Sequence, residues 1–335
     1  MVELIIGLVL GTLGLSAFWL VLRTLRRAGK PAPVAPPPVE DEEIEPIDPE
    51  GEIGTDGLVY MFAGKFVRPV GRRSLGSIPR DRAFDLASGD ELDPLDFAMQ
   101  MLYAVLTDLL SGEYIKLRLV EREATFMPPF PHKNWEMELR QVKAFRSSPL
   151  CDGLNIAFEM IYKKRMRKTQ TDNPQSLAES TPEALWVPLD ELVENALKAM
   201  RQEMRFWDRG CIYSDLRNYV GIGLTAQRYV LAPAQDTWLD RLRRKGPLLN
   251  PHAISKHRLD EAAEALLRRI ETFHTRFGSP EAREDPRWPA GDVSPALLQP
   301  RVPLHELPLD DCLRLSVYET LVAIRQLEPS GEAGI

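Results

Sequence analysis

The chain has 335 residues, 44% hydrophobic and 27% charged, a balance that suits one large globular domain or two ordinary ones rather than a disordered polypeptide. Three cysteines, Cys151, Cys211 and Cys312, lie far apart without CxxC or Cys/His ligand spacing, which argues against a disulfide framework and fits a reducing compartment. The net charge of −7 is uneven: residues 1–30 carry +3 and residues 31–56 carry −9, so the remainder is nearly neutral and the acidity describes a linker.

The first element is an uncharged run, LIIGLVLGTLGLSAFWLVL, with Leu4 and Leu22 at its ends. At about 1.5 Å per residue such a run spans roughly the 30 Å hydrocarbon layer, and Trp19 sits where an indole prefers the interface. A cleavable signal peptide would carry its positive charge before the run. Here Glu3 precedes it and Arg23, Arg26, Arg27 and Lys30 follow. The order predicts an uncleaved single-pass anchor in the plasma (inner) membrane, N-terminus outside and the C-terminal domain cytoplasmic. Gly7, Gly11 and Gly14 share one helical face, a small-residue pattern that permits packing against another transmembrane helix and self-association.

Residues 31–56, PAPVAPPPVEDEEIEPIDPEGEIGTD, read as a disordered proline-rich acidic linker, a spacer whose early part can hold polyproline II geometry. Two short apolar runs follow, LVYMF at 58–62 and KFVRPV at 65–70. The intervening Ala63-Gly64 makes them read as a hairpin with Pro69 on an edge strand. An arginine-rich stretch, including Arg68, Arg72, Arg73, Arg80 and Arg82, reads as irregular.

Asp93-Pro94 is a helix start, with Ala98, Met101, Leu102, Val105 and Leu109 as a buried stripe and Gly112 as the stop. Ile115, Leu117 and Leu119 alternate with Lys116 and Arg118 as a strand, and WEMEL at 135–139 is its expected partner, although helical spacing fits almost as well. A helix from about 151 to 167 buries Leu154, Phe158 and Ile161, and a polar loop at 169–181 follows. Another begins after Pro188 and carries Leu192, Val193, Ala196, Leu197, Met200, Met204 and Trp207 on one face. Gly210 stops it, and 211–213 reads as a very short strand. The stretches LLSGEYIKL and WDRGCIYSD thus share a helix, a glycine stop and an extended segment, an order that resembles winged-helix modules at that level alone.

The last third reads as a short helix at 236–245 and a longer one with Leu259, Ala263, Leu266, Ile270, Phe273 and Phe277 on one face, closed by Gly278. A proline-rich connection, 279–308, leads to a final helix burying Leu313, Val317, Leu321 and Ile324. The expected fold class is α+β, mainly α, with short β-hairpins. Its organisation is an anchor and basic flank at 1–30, a linker at 31–56, an α+β domain at 57–230, a helical part at 231–328 packed upon it, and a tail at 329–335.

Chemistry is sparse. Gly221 to Ala226 matches GxGxxA, but Pro233 interrupts the helix that a dinucleotide site needs, so the segment reads as a structural turn. No histidine has metal-ligand spacing, and His274 reads as an ordinary helix partner of Glu271. Asp310-Asp311 reads as helix capping. The strongest charge feature is Lys163, Lys164, Arg165, Arg167 and Lys168. These read as cations at a helix C-terminus, with anionic lipid or phosphate contact as the functional alternative and nucleic acid the least favoured. No cofactor is expected. The leading expectation is a membrane-tethered interaction or adaptor module without catalytic activity, with unidentified protein partners. The alternatives are a membrane-anchored, winged-helix-type nucleic-acid binder and an enzyme whose site is assembled from scattered residues.

Overall fold

The computed structural model describes residues 48–70, 82–121, 135–172, 185–205, 209–231, 247–278 and 304–327. The run at 4–22 with Gly7, Gly11 and Gly14, most of the linker, the loop at 173–181, Trp207, the expected helix at 236–245 and most of the proline-rich connection lie outside the described residues. No described helix is long and apolar enough to cross a membrane.

The centre of the fold is α3, Pro94–Ser111. Asp93 caps it by accepting hydrogen bonds from the backbone of Leu95 (2.9 Å) and Asp96 (3.3 Å), with Pro94 in the first turn, as the sequence predicts. Instead of one buried stripe, every residue from 96 to 107 is buried, the signature of a helix surrounded by others. Its neighbours are α1 (Thr55–Met61), α6 (Ile212–Ala226) and α9 (Leu309–Leu327). A second layer pairs α4 (Pro149–Asp172) with α5 (Leu189–Glu203), and α8 (Leu259–Phe277) packs on α1, α3 and α9. Short α2 (Ala63–Phe66) follows α1, and α7 (Pro251–His257) turns into α8 at Arg258, whose φ of 49° makes the corner. One core cluster draws on residues from Leu58 to Leu321, and 47–335 form a single compact unit.

Among the described residues, three small antiparallel sheets complete the α+β fold. β1 (Ala83–Phe84) pairs with β2 (Glu91–Leu92), and β6 (Val230–Leu231) with β7 (Leu248–Leu249). The third joins β3 (Ile115–Glu121), β4 (Trp135–Gln141) and β5 (Val187–Pro188). Leu117 faces Leu139, which faces Val187, so the apolar alternation is turned inward and the extended reading of WEMEL holds.

Two expected strands are helices. LVYM belongs to α1 and Phe62 follows its end; residues 56–61 are all buried, and a segment enclosed on every side has no polar alternation to distinguish helix from strand. Only the end of KFVRPV is extended, with a bridge from Pro69 to Leu92. The expected strand at 211–213 is the start of α6, which Cys211 precedes without a side-chain cap. The helix-then-extended scheme is therefore met after Gly112 and fails after Gly210. The expected turn at Gly221 to Ala226 is the end of α6, where the glycines admit neighbours: a Cβ would lie 2.6 Å from the Tyr60 hydroxyl at Gly221 and 2.5 Å from Pro149 at Gly223. The final helices match their predicted faces, with Ile324 only partly buried.

Candidate functional site

The densest polar chemistry lies where α3, α8 and α9 meet. The Asp310 carboxylate, in the first turn of α9 and wholly shielded from solvent, accepts the Tyr103 hydroxyl proton on one oxygen. Its other oxygen lies 2.5 Å from His274 Nδ1 and 2.9 Å from Arg314 Nε one turn further along α9. Arg314 also donates to the Tyr103 hydroxyl (3.3 Å) and holds its guanidinium 4.7 Å from the Tyr103 ring centre. Burial alone would raise the Asp310 carboxyl, but the His274 hydrogen bond, the Arg314 charge and the Tyr103 hydroxyl outweigh it and hold it below the usual carboxylate range. Burial and the adjacent carboxylate push the Tyr103 phenol well up, with Arg314 opposing them.

Both side chains turn inward: Asp310, in the first turn of α9, is wholly buried, and His274 is buried and turned to Asp310. The partners lie 36 and 207 positions from Asp310, beyond any spacing motif. Only the Asp310–Arg314 step of four residues was readable as a helix pair. The cluster contains residue types suited to proton transfer, but they are enclosed and engage one another. It ties three helices together.

A small cleft of about 130 Å³ opens between the N-terminus of α1, the end of α3 and the start of α4. Asp108 fills part of its wall, accepting from Thr55 (2.9 Å) and from Arg269 of α8 (2.7 Å). Arg146 donates to Tyr114 at the rim (3.1 Å), and Cys151 lies deeper. Burial pushes the Cys151 thiol up to about 12, away from the thiolate form. Behind the cleft, the buried Asp56 carboxylate accepts from the Leu150 backbone (2.7 Å) and so occupies the positive start of α4 from a distant part of the chain. Burial raises the Asp56 carboxyl despite its hydrogen bonds from Leu150, Ser148 and Gly57.

The basic run does not end a helix. α4 continues to Asp172 and has no base in its last turn, so the dipole does not account for the run. Lys163 pairs with Glu159 (2.9 Å) one turn earlier. Arg165 bridges to Glu191 of α5 (2.7 Å) and donates to the Trp186 carbonyl (2.9 Å). Lys164 and Arg167 are exposed, and the Lys168 side chain lies outside the described residues. Two members of the run, Lys163 and Arg165, are thus held in ion pairs. Among the described residues no group of His, Cys, Asp and Glu could hold a metal ion.

The structure adds a feature the sequence did not single out, the Trp186 indole beside two guanidiniums: Arg118 at 4.4 Å and Arg140 at 5.1 Å from the ring centre. The alternation of Lys116 and Arg118 was the available signal; the position of Trp186 needed the register of β5.

Compared with protein families, curated proteins and solved structures, the chain matches none.

Proposed function

We infer that the chain is a single-pass, membrane-tethered interaction module whose α+β domain meets protein partners or the membrane surface on the cytoplasmic side. The observation that carries this reading is the uncharged run at 4–22, with Glu3 before it and Arg23, Arg26, Arg27 and Lys30 after it. The compact unit beginning at residue 47 supports it, because the proline-rich acidic stretch then stands between anchor and domain.

The chain enters that unit at a defined place. Asp48 meets Lys256 (2.7 Å) and His252 (2.8 Å) of α7, and Glu50 meets Arg228 (3.6 Å). Exposed pairs of this kind are each worth about 0–1 kcal/mol, so they bias the entry point without fixing the domain rigidly. The enclosed Asp310 cluster and the buried Cys151 thiol favour a domain that binds over one that reacts. Gly7, Gly11 and Gly14 supply a face for lateral association of the anchor within the same reading.

Crosslinking in intact cells tests it, with the full chain compared against a version lacking residues 1–30. Partners captured only by the full chain support a tethered module. An identical set for both versions contradicts a role for the membrane.

A further inference from the structure

Strand alternation turns Lys116 and Arg118 of β3 away from the core that receives Ile115 and Leu117. Lys116 stands opposite Arg140 on β4. The pairing of Glu138 with Pro188 and Leu139 with Val187 brings Trp186 beside Arg140 at the next step. Just past β4, Lys143 holds its ammonium 4.7 Å from the centre of the Tyr114 ring. Of these four cations only Arg118 meets a carboxylate, that of Glu138 (2.6 Å); among the described residues Lys116, Arg140 and Lys143 have no carboxylate partner. Arg165 of the basic run reaches the Trp186 carbonyl, so α4 passes beside the start of β5.

We propose that this outer sheet face is a docking surface for an anionic bilayer leaflet, and that it lays the tethered domain against the membrane holding its anchor. The proposal rests on the tethered reading above. Charge complementarity selects the face: cations dominate it and two aromatic rings, Trp186 and Tyr114, lie among them, the residue mixture that settles at headgroup level. Reach permits it. Residues 23–47, at about 3.1 Å each when extended, span roughly 80 Å, so the tether leaves every face able to contact the leaflet and charge decides which one does. Two acids share the parity of this face, but Glu138 is buried and meets Arg118, and Glu136 is half-buried.

The test places the full chain in nanodiscs of phosphatidylcholine alone, or of two parts phosphatidylcholine to one part phosphatidylglycerol, and measures lysine acetylation rates by mass spectrometry. The expected result is a slowing of Lys116 and Lys143 by about threefold or more in the anionic discs, reversed by salt, with Lys256 of α7 unchanged. Lys116→Glu combined with Arg140→Glu removes the protection of Lys143. Should that pair fail to fold, Lys143→Glu, outside the strands, removes the protection of Lys116. Equal rates in both discs overturn the docking face while leaving the anchor in place; failure of the chain to stay with either disc overturns the anchor. Protection of the same lysines by duplex DNA in neutral discs, with none from phosphatidylglycerol, also overturns the proposal.

Discussion

The Tyr103 hydroxyl on α3 donates to the carboxylate of Asp310 on α9, across 207 positions of sequence and with both side chains buried. This bond, with His274 and Arg314 on the same carboxylate, makes Asp310 the charge on which three helices converge.

Removing that charge is therefore more damaging than removing one donor. Asp310→Asn leaves the nearly buried Arg314 guanidinium without its carboxylate, which costs about 3–5 kcal/mol. Tyr103→Phe deletes one hydrogen bond and costs about 1–2 kcal/mol. Urea unfolding of the two variants ranks them, and equal losses would show that the carboxylate is not the organising group.

The pH dependence has two opposing parts. Asp310 is held below the usual carboxylate range, so its stabilisation is complete above about pH 4 and disappears as pH falls through its depressed value. Asp56 is raised by burial. It favours the fold while protonated, below about pH 4, and that advantage is lost as pH rises through its raised folded value. Asp310→Asn should flatten the acid limb of a stability–pH curve. Asp56→Asn should remove the decline on the other side of pH 4. Unchanged curves for both variants would contradict the assigned signs.

Gly221 provides a packing test. Alanine gains about 1 kcal/mol in helix propensity, yet its Cβ would lie 2.6 Å from the Tyr60 hydroxyl, and overpacking costs about 1–3 kcal/mol. Gly221→Ala should lower the melting temperature, and adding Tyr60→Phe should recover part of the loss. A melting temperature raised by Gly221→Ala alone would show that the close approach does not matter.

These contacts mark what the sequence could and could not convey. α3 was legible because Asp93-Pro94 is a local start signal and Gly112 a local stop. α8 was legible because Leu259 to Phe277 has one wet and one dry face. α1 was not, because LVYMF is buried on all sides and its five apolar residues suit either period. α6 was hidden by a start without a side-chain cap and by glycines that resemble a turn until Tyr60 and Pro149 are seen against them. The Asp310 cluster was invisible to motif spacing because its members come from three helices. The basic run was conspicuous in sequence, yet two of its members, Lys163 and Arg165, are held by Glu159 and Glu191. The less conspicuous Lys116 and Arg140 are brought together by strand register.

A topology measurement on the full chain tests the membrane tether most directly. A reporter that matures only inside the cytoplasm is fused after Ile335, and the membrane fraction is washed with alkaline carbonate. A tethered, cytoplasmic domain gives an active reporter that stays with the membrane and leaves it when residues 1–30 are removed. A reporter that matures only outside the cytoplasm, or a full chain released by the wash, would contradict it.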